Sequence, residues 1–275
     1  MEKILFDTHC HLTDEYYDED RAGFIKSIED SALRFVVDIG TDIKTSRQAA
    51  ANAGAYDFCY AAAGFWPGNT TGLTEEDFGA LEEILKLPKV AALGETGLDY
   101  HYEDTDREAQ RYWFARQIRL AVETAKPICI HSRDADAETL QMLKDGGAFS
   151  KERYESFPKR PDGSPDARVL MHCFSGSAEL ARQYVKLGAD ISIAGPVTYR
   201  NARKLVEVVE TVDISRLTAE TDSPYLTPVP FRGQRNVPWY VEHAVRKIAE
   251  IKGIAYEDAA KATLENGMRF YGIKA

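Results

Sequence analysis

Four histidines and two acidic residues stand at the ends of short apolar segments spread along this 275-residue chain. His9 and His11 are two positions apart, so their imidazoles point to the same side of a strand that continues through both, while Cys10 points away. A lone His-x-His pair is a weak signal, and any one of these groups could be a hydrogen-bonded core histidine or a helix-capping acid. The joint occurrence favours a metal site. The six residues are His9, His11, Glu95, His131, His172 and Asp222.

A divalent metal would satisfy all six groups at once, because a buried carboxylate must be paired and a buried imidazole must be hydrogen-bonded. Six ligands exceed the four of one tetrahedral ion, so the set predicts two divalent cations. Glu95 can bridge them because a carboxylate has two oxygens. Two such ions lower the pKa of a shared water and hold the oxygens of a scissile phosphate or carbonyl. We expect Asp222, at the rim, to be the general base.

Eight β-rich apolar runs, separated by segments with helical periodicity such as 108–126, must position these groups. Buried parallel strands that alternate with helices predict a (β/α)8 TIM barrel, in one domain over residues 1–275. An open doubly wound sheet is the alternative, but no GxGxxG follows the first strand. In a barrel, the C-terminal strand ends meet on one face, where such enzymes keep their active sites. The runs are 4–7, 35–39, 58–63, 90–93, 128–130, 169–171, 191–194 and 217–219.

One segment, residues 145–167, interrupts the alternation and is rich in Gly, Pro, Ser and mixed charge. It follows the fifth helix and precedes the sixth strand, which places it on the N-terminal face of a barrel. We expect a surface loop there, either a neutral insertion or a site for a partner.

The composition limits the function classes. A net charge of -10 repels nucleic acid at long range, so a phosphate-bearing substrate would need metal ions and a few arginines in the cleft. The N-terminus lacks the apolar stretch of a signal peptide, and no run is long enough to span a membrane. Four cysteines without CxxC spacing indicate reduced thiols. These features predict a cytoplasmic protein with no membrane partner.

Several motifs, in order along nearly the whole chain, resemble the TatD-type metal-dependent deoxyribonucleases of the amidohydrolase-like barrels. The motifs are DTHCHL at 7–12, GETGLDY at 94–100, HSRDAD at 131–136, HCFSGS at 172–177, ETDSPYLTPVPFRGQRN at 220–236 and NGMRFYGI at 266–273. The resemblance implies hydrolysis of DNA ends by metal-activated water, with magnesium as the working ion and zinc or manganese as substitutes. It also implies that one cation is held by His9, His11, Glu95 and Asp222, and the other by Glu95, His131 and His172.

Three arginines stand where loops at the mouth would reach a substrate: Arg133 two residues past His131, and Arg232 and Arg235 after the eighth strand. Arginine forks suit phosphate oxygens, although a structural ion pair is an equal alternative. Asp99 and Tyr100 are expected to shape the pocket.

The chain departs from the family after the third strand, where a Gly-x-His-Pro motif is usual and this sequence has Trp66 and Gly68 in GFWPG. The polar phosphate contact expected there is missing. Trp66 either stacks on a base, as aromatic platforms do with single strands, or packs into the wall of the mouth.

The combined prediction is a deoxyribonuclease that acts like a 3'-5' exonuclease on single-stranded DNA ends. One alternative is an ester or amide hydrolase such as a D-aminoacyl-tRNA deacylase, but related ring-amide hydrolases often bridge their metals with a carboxylated lysine where this chain has Glu95. A second alternative is an inactive metal-binding scaffold, which need not maintain six converging ligands. No obligate protein partner is evident, and the oligomeric state is left open.

Overall fold

The computed structural model describes residues 2–274 and contains one sheet of eight parallel strands whose order follows the chain. Beyond β8, the backbone N–H of Asp222 donates to the His9 carbonyl at 2.9 Å, and that of His11 donates to the Ser223 carbonyl at 2.9 Å. A parallel bridge between Cys10 and Ser223 joins the same segments, which brings the two edges of the sheet together. The predicted TIM barrel is confirmed. The strands are β1 (Leu5–Cys10), β2 (Leu33–Ile39), β3 (Cys59–Ala63), β4 (Val90–Asp99), β5 (Ile128–Arg133), β6 (Val169–Met171), β7 (Asp190–Ile193) and β8 (Leu217–Ala219).

Helices follow the strands and cover the sheet, because strands this apolar must be buried on both faces. Helix starts are set locally: Asp42 caps its helix through the Thr45 N–H at 2.7 Å, and the Ser177 side chain caps another. Gly253, in the left-handed region, ends the helix Val241–Lys252. The α-helices are α1 (Arg21–Asp30), α2 (Ile43–Ala55), α3 (Glu75–Ile84), α4 (Arg107–Glu123), α5 (Asp136–Asp145), α6 (Lys151–Glu155), α7 (Ala178–Lys186), α8 (Arg203–Thr211), α9 (Val241–Lys252) and α10 (Tyr256–Tyr271).

Two strands extend beyond their apolar runs. The prediction placed Glu95 and His131 after strands, whereas both lie within them, in β4 and β5. Backbone pairing continues past the apolar residues, with Gly97 opposite His131 and Asp99 opposite Arg133. A side chain at Gly97 would meet the His131 carbonyl, and its φ of 150° also favours glycine. Backbone pairing therefore sets the orientation of the polar side chains in both strands.

The segment 145–167 departs from a simple surface loop. It contains α6, and its Arg153 side chain is buried and donates to the backbone carbonyls of Ala121, Lys126 and Ala167. Arg160 is also buried and pairs with Asp190, the first residue of β7. The prediction failed to foresee this anchoring, since the acceptors come from distant parts of the chain. Arg160 donates to the Ser215 carbonyl just before β8, and the Ala167 N–H donates to the Gly188 carbonyl just before β7, so these parts of the segment contact the N-terminal ends of the strands.

None of the helices formed by residues 2–274 has both the length and the apolar character needed to cross a membrane.

Candidate metal centre

The barrel brings the six predicted ligands into one cluster at the C-terminal ends of its strands. They form three overlapping groups, and within each group the ligand atoms lie within 4.8 Å of one another. The imidazoles of His9 and His172, which belong to the same group, stack with ring centroids 3.6 Å apart, and each of the two residues also belongs to a second group. The groups are His9, His172 and Asp222; His9, His11 and Glu95; and Glu95, His131 and His172.

Glu95 lies at the centre of this cluster. Its Oε2 is 3.6 Å from His9 Nε2 and 4.0 Å from His11 Nε2. Its Oε1 is 2.7 Å from His131 Nδ1 and 3.3 Å from His172 Nε2. Burial raises the pKa of Glu95, but the neighbouring imidazoles, first that of His172, outweigh burial and hold the pKa well below its ordinary value. Glu95 is therefore a carboxylate whose two oxygens face different pairs of imidazoles.

His9 is fully buried, and neither ring nitrogen has a hydrogen-bond partner among residues 2–274. Its Nε2 lies 3.6 Å from Glu95 Oε2 and 3.7 Å from Asp222 Oδ1, beyond normal hydrogen-bond length. Burial lowers the pKa of His9, which favours the neutral imidazole that binds metals. An orphaned neutral imidazole between two carboxylates fits a divalent cation.

His11 and His131 each have one ring nitrogen occupied by a partner outside the predicted ligand set. The Nδ1 of His11 is 3.1 Å from the Ile39 carbonyl, which can only accept, so Nδ1 carries a proton and Nε2 is the nitrogen available to a metal. The Nε2 of His131 is 3.0 Å from Asp99 Oδ2. Such partners fix the tautomer and orientation of metal-binding imidazoles. Asp99, predicted to shape the pocket, acts here by orienting His131.

Glu220 is a buried carboxylate that the sequence analysis missed. Its Oε1 lies 2.9 Å from His172 Nδ1 and accepts from the Cys173 backbone N–H at 2.6 Å, so it orients the His172 ring. Asp7 was also missed; it accepts from the backbone N–H and the hydroxyl of Thr221 across the closing edges of the barrel. A signal was present, because each acid stands two residues before a predicted ligand, Glu220 before Asp222 and Asp7 before His9.

The predicted substrate arginines fall into two kinds. Arg133 and Arg232 have exposed side chains over the rings of Tyr102 and Tyr199, at 5.7 and 4.1 Å from the ring centroids. Both guanidinium groups remain accessible to the phosphate oxygens of a substrate.

Arg235 is engaged within the protein. Its guanidinium donates to the Tyr16 carbonyl and lies 5.1 Å from the centre of the Tyr17 ring. This arginine therefore anchors the 3-10 helix Glu15–Asp20 against the segment after β8.

The two predicted aromatic contacts also differ. The Tyr100 hydroxyl donates to Glu138 of α5 at 2.9 Å. The half-buried Trp66 lies edge to face with His131, with ring centroids 6.1 Å apart and an interplanar angle of 84°. Trp66 thus lies beside the cluster of candidate metal ligands.

Four imidazoles and two carboxylates at the mouth of a TIM barrel define a class of hydrolases that work with divalent cations. When bound, such a cation acts as a Lewis acid and lowers the pKa of its water.

Comparison with known proteins agrees with this class. The chain belongs to the TatD related DNase family, whose sequence profile matches residues 6–272. It is 40% identical, over 98% of this chain and 100% of the relative, to the uncharacterized metal-dependent hydrolase YabD of Bacillus subtilis (strain 168). Another relative, the 3'-5' ssDNA/RNA exonuclease TatD of Erwinia tasmaniensis, is 28% identical over 98% of this chain and 100% of its own length. The crystal structure of YjjV, a TatD homologue from Escherichia coli K12, covers both chains fully with a TM-score of 0.87 at 26% identity. The protein is a metal-dependent hydrolase of this family.

Proposed function

We propose that this hydrolase cleaves phosphodiester bonds and removes nucleotides from single-stranded DNA ends in the 3'-5' direction, using two divalent cations. The observation that carries the proposal is the placement of Glu95, whose Oε2 faces His9 and His11 while Oε1 faces His131 and His172. One carboxylate shared by two ligand pairs suits a dimetal site, and dimetal sites are common in nucleases and phosphatases. The 3'-5' exonuclease named among the relatives supports the direction.

In this proposal the ligands divide as the family resemblance implies. Magnesium is the expected ion, with zinc or manganese as substitutes. One cation would be held by His9, His11, Glu95 and Asp222, and the other by Glu95, His131 and His172.

Asp222 is the residue that we assign to accept the proton of the attacking water. Burial raises its pKa, but the hydrogen bond to His11 and the nearby imidazoles outweigh burial and lower the pKa, so Asp222 is ionised at neutral pH. Its Oδ1 faces His11 Nε2 at 3.3 Å, and we assign Oδ2 as the proton acceptor. The side chain is 16% exposed, so it lies at the open side of the site, where a phosphodiester would enter.

Substrate contact is local in this proposal, since the net charge of -10 gives no broad attraction for DNA. Arg133 and Arg232 are assigned to phosphate oxygens because their heads are exposed at the mouth. A single domain over residues 1–275 and a cytoplasmic location are parts of the same proposal; the four unpaired cysteines support the location.

The test is hydrolysis of single-stranded DNA labelled at the 5' or the 3' end, with magnesium, manganese or zinc. Native protein is compared with His131→Ala, Asp222→Asn and, as a matched histidine control on α9, His243→Ala. We expect metal-dependent shortening from the 3' end, a loss of about a hundredfold or more in the first two variants and no loss in the control. Native protein that leaves every labelled strand intact would contradict the proposal.

A second candidate is ester or amide hydrolysis, such as D-aminoacyl-tRNA deacylation. The observation that favours it is Trp66, which stands where a polar phosphate contact is expected. Turnover of an aminoacyl ester by the same preparation, without cleavage of DNA, would select this candidate. An inactive scaffold is disfavoured by the complete ligand set.

A further inference from the structure

The turn after β3 is held by hydrogen bonds on two sides, one of them buried. The Phe65 backbone N–H donates to Gln117 Oε1 at 2.9 Å, and Gln117 Nε2 donates to the Phe65 carbonyl at 3.3 Å; both residues are fully buried. The Trp66 N–H donates to the Thr41 carbonyl at 3.0 Å, and its carbonyl accepts from the Asn69 N–H at 2.8 Å. The backbone that bears the Trp66 indole is therefore fixed before any ligand binds.

Gly68 makes room for that indole. A Cβ at Gly68 would overlap three atoms of the six-membered ring of Trp66. The φ of Gly68 is outside the left-handed region that favours glycine, so space for Trp66 is the reason for a glycine here. The absence of a side chain at Gly68 therefore lets the indole lie against this turn.

The indole of Trp66 lies next to the cluster of candidate metal ligands. The indole and the His131 ring lie edge to face with their centroids 6.1 Å apart, and His131 Nδ1 is 2.7 Å from Glu95 Oε1. Trp66 is only half-buried, so part of the indole is accessible to a ligand at the site. A substrate whose phosphate lies at the cations would have its next group within reach of this ring.

We propose that Trp66 is a fixed stacking platform for the nucleobase next to the scissile phosphate, and that it determines a preference for base-bearing substrates. The proposal rests on the proposed function in taking the substrate to be a nucleotide chain. Aromatic rings stack on any base, which suits an enzyme that must move along a strand of mixed sequence. A platform already held in place loses little conformational entropy on binding. Stacking also adds affinity that the acidic surface of this protein does not supply.

The test compares two ligands that differ only in the base, deoxyadenosine 5'-monophosphate and 2-deoxyribose 5-phosphate. Their dissociation constants are measured by calorimetry on magnesium-saturated protein, which requires no turnover. Stacking on one aromatic ring corresponds to roughly a 5- to 150-fold preference for the nucleotide. We expect Trp66→Ala to reduce the ratio to about 2 or less and Trp66→Phe to keep most of it.

Gly68→Ala is the sharpest variant, because it keeps Trp66 and displaces only its ring. We expect it to lower the ratio as Trp66→Ala does, with binding of the base-free phosphate unchanged. Gly79→Ala on α3 is the matched control, since a Cβ there meets nothing within 4 Å. An equal ratio in native and Trp66→Ala protein, or a native protein that binds neither ligand, would overturn the proposal. A nucleotide preference that depends on Trp66, without cleavage of DNA, would instead support base stacking on Trp66 and contradict the proposed nuclease activity.

Discussion

Both ends of the barrel bury charged side chains, but they balance them in different ways. On the N-terminal face, Asp190 lies 2.5 Å from both Arg160 and Arg269, while Asp166 is paired with Arg168 at 2.9 Å and with Arg269 at 2.5 Å. Two guanidinium N–H groups, of Arg160 and Arg216, lack partners among residues 2–274, yet each of the two aspartates meets two guanidinium groups directly.

At the mouth, Glu95 and Asp222 are not paired with a permanent cation of this kind among residues 2–274. Among the described residues, the only positive charge that meets Glu95 and Asp222 at close range is that of histidines, which must be protonated to carry it. His9 stays neutral and without a hydrogen bond. Buried charges that arginines neutralise serve stability, whereas a cluster balanced only by removable protons is suited to exchange them for metal ions.

The largest effect is expected at the N-terminal face. Asp190→Asn leaves the buried Arg160 and the partly buried Arg269 without their shared carboxylate, and breaking a buried pair in this way costs about 3 to 5 kcal/mol. We expect the free energy of unfolding, measured by urea denaturation, to fall by that amount with metal affinity unchanged. Equal unfolding free energies of variant and native protein would show that the ion pairs of the N-terminal face do not stabilise the fold.

Glu220→Gln makes the matching carboxylate-to-amide change at the mouth. Glu220 fixes the His172 ring, and loss of such a partner typically lowers metal affinity or activity about 10- to 100-fold. We expect that loss in equilibrium dialysis with manganese, and a smaller change in unfolding free energy than in Asp190→Asn. The reverse pattern, lower stability with native metal affinity, would show that Glu220 belongs with the structural charges.

A smaller effect is the pH dependence of metal binding. Burial lowers the pKa of His11, but the hydrogen bond and charge of Asp222 outweigh burial and raise the pKa to about 9. The stabilising proton on metal-free His11 is fully present below about pH 6.5 and is lost as the pH rises through 9. A cation must displace this proton, so the contribution of His11 alone should raise metal affinity by up to about tenfold from pH 7 to pH 8.

Calorimetry in buffers of different ionisation enthalpy checks this by counting released protons. Metal affinity should depend on pH in the same way in Asp190→Asn as in the native protein, because Asp190 does not contact the candidate metal ligands. Affinity that is constant from pH 7 to pH 9, with no proton release, would contradict the assignment of His11.

The eight strands and the convergence of the six candidate ligands follow from local pattern. Apolar runs alternate with helical periodicity, and the closure of parallel strands brings their C-terminal ends together wherever they occur in the chain. The bounds of β4 and β5 were less predictable, because backbone pairing carries those strands through polar residues such as Glu95 and His131.

The amino-acid sequence by itself therefore determined the barrel, the face that holds the site and the residue types able to bind metal, since each depends on short-range pattern and spacing. The tertiary structure alone decided which acid orients which imidazole, as Glu220 does for His172 at 48 positions' separation, and which arginines neutralise Asp190. It also decided that Gly68 makes room for Trp66 beside His131. These pairings depend on packing between segments far apart in the chain, and a one-dimensional pattern does not encode the distance between side chains on different elements.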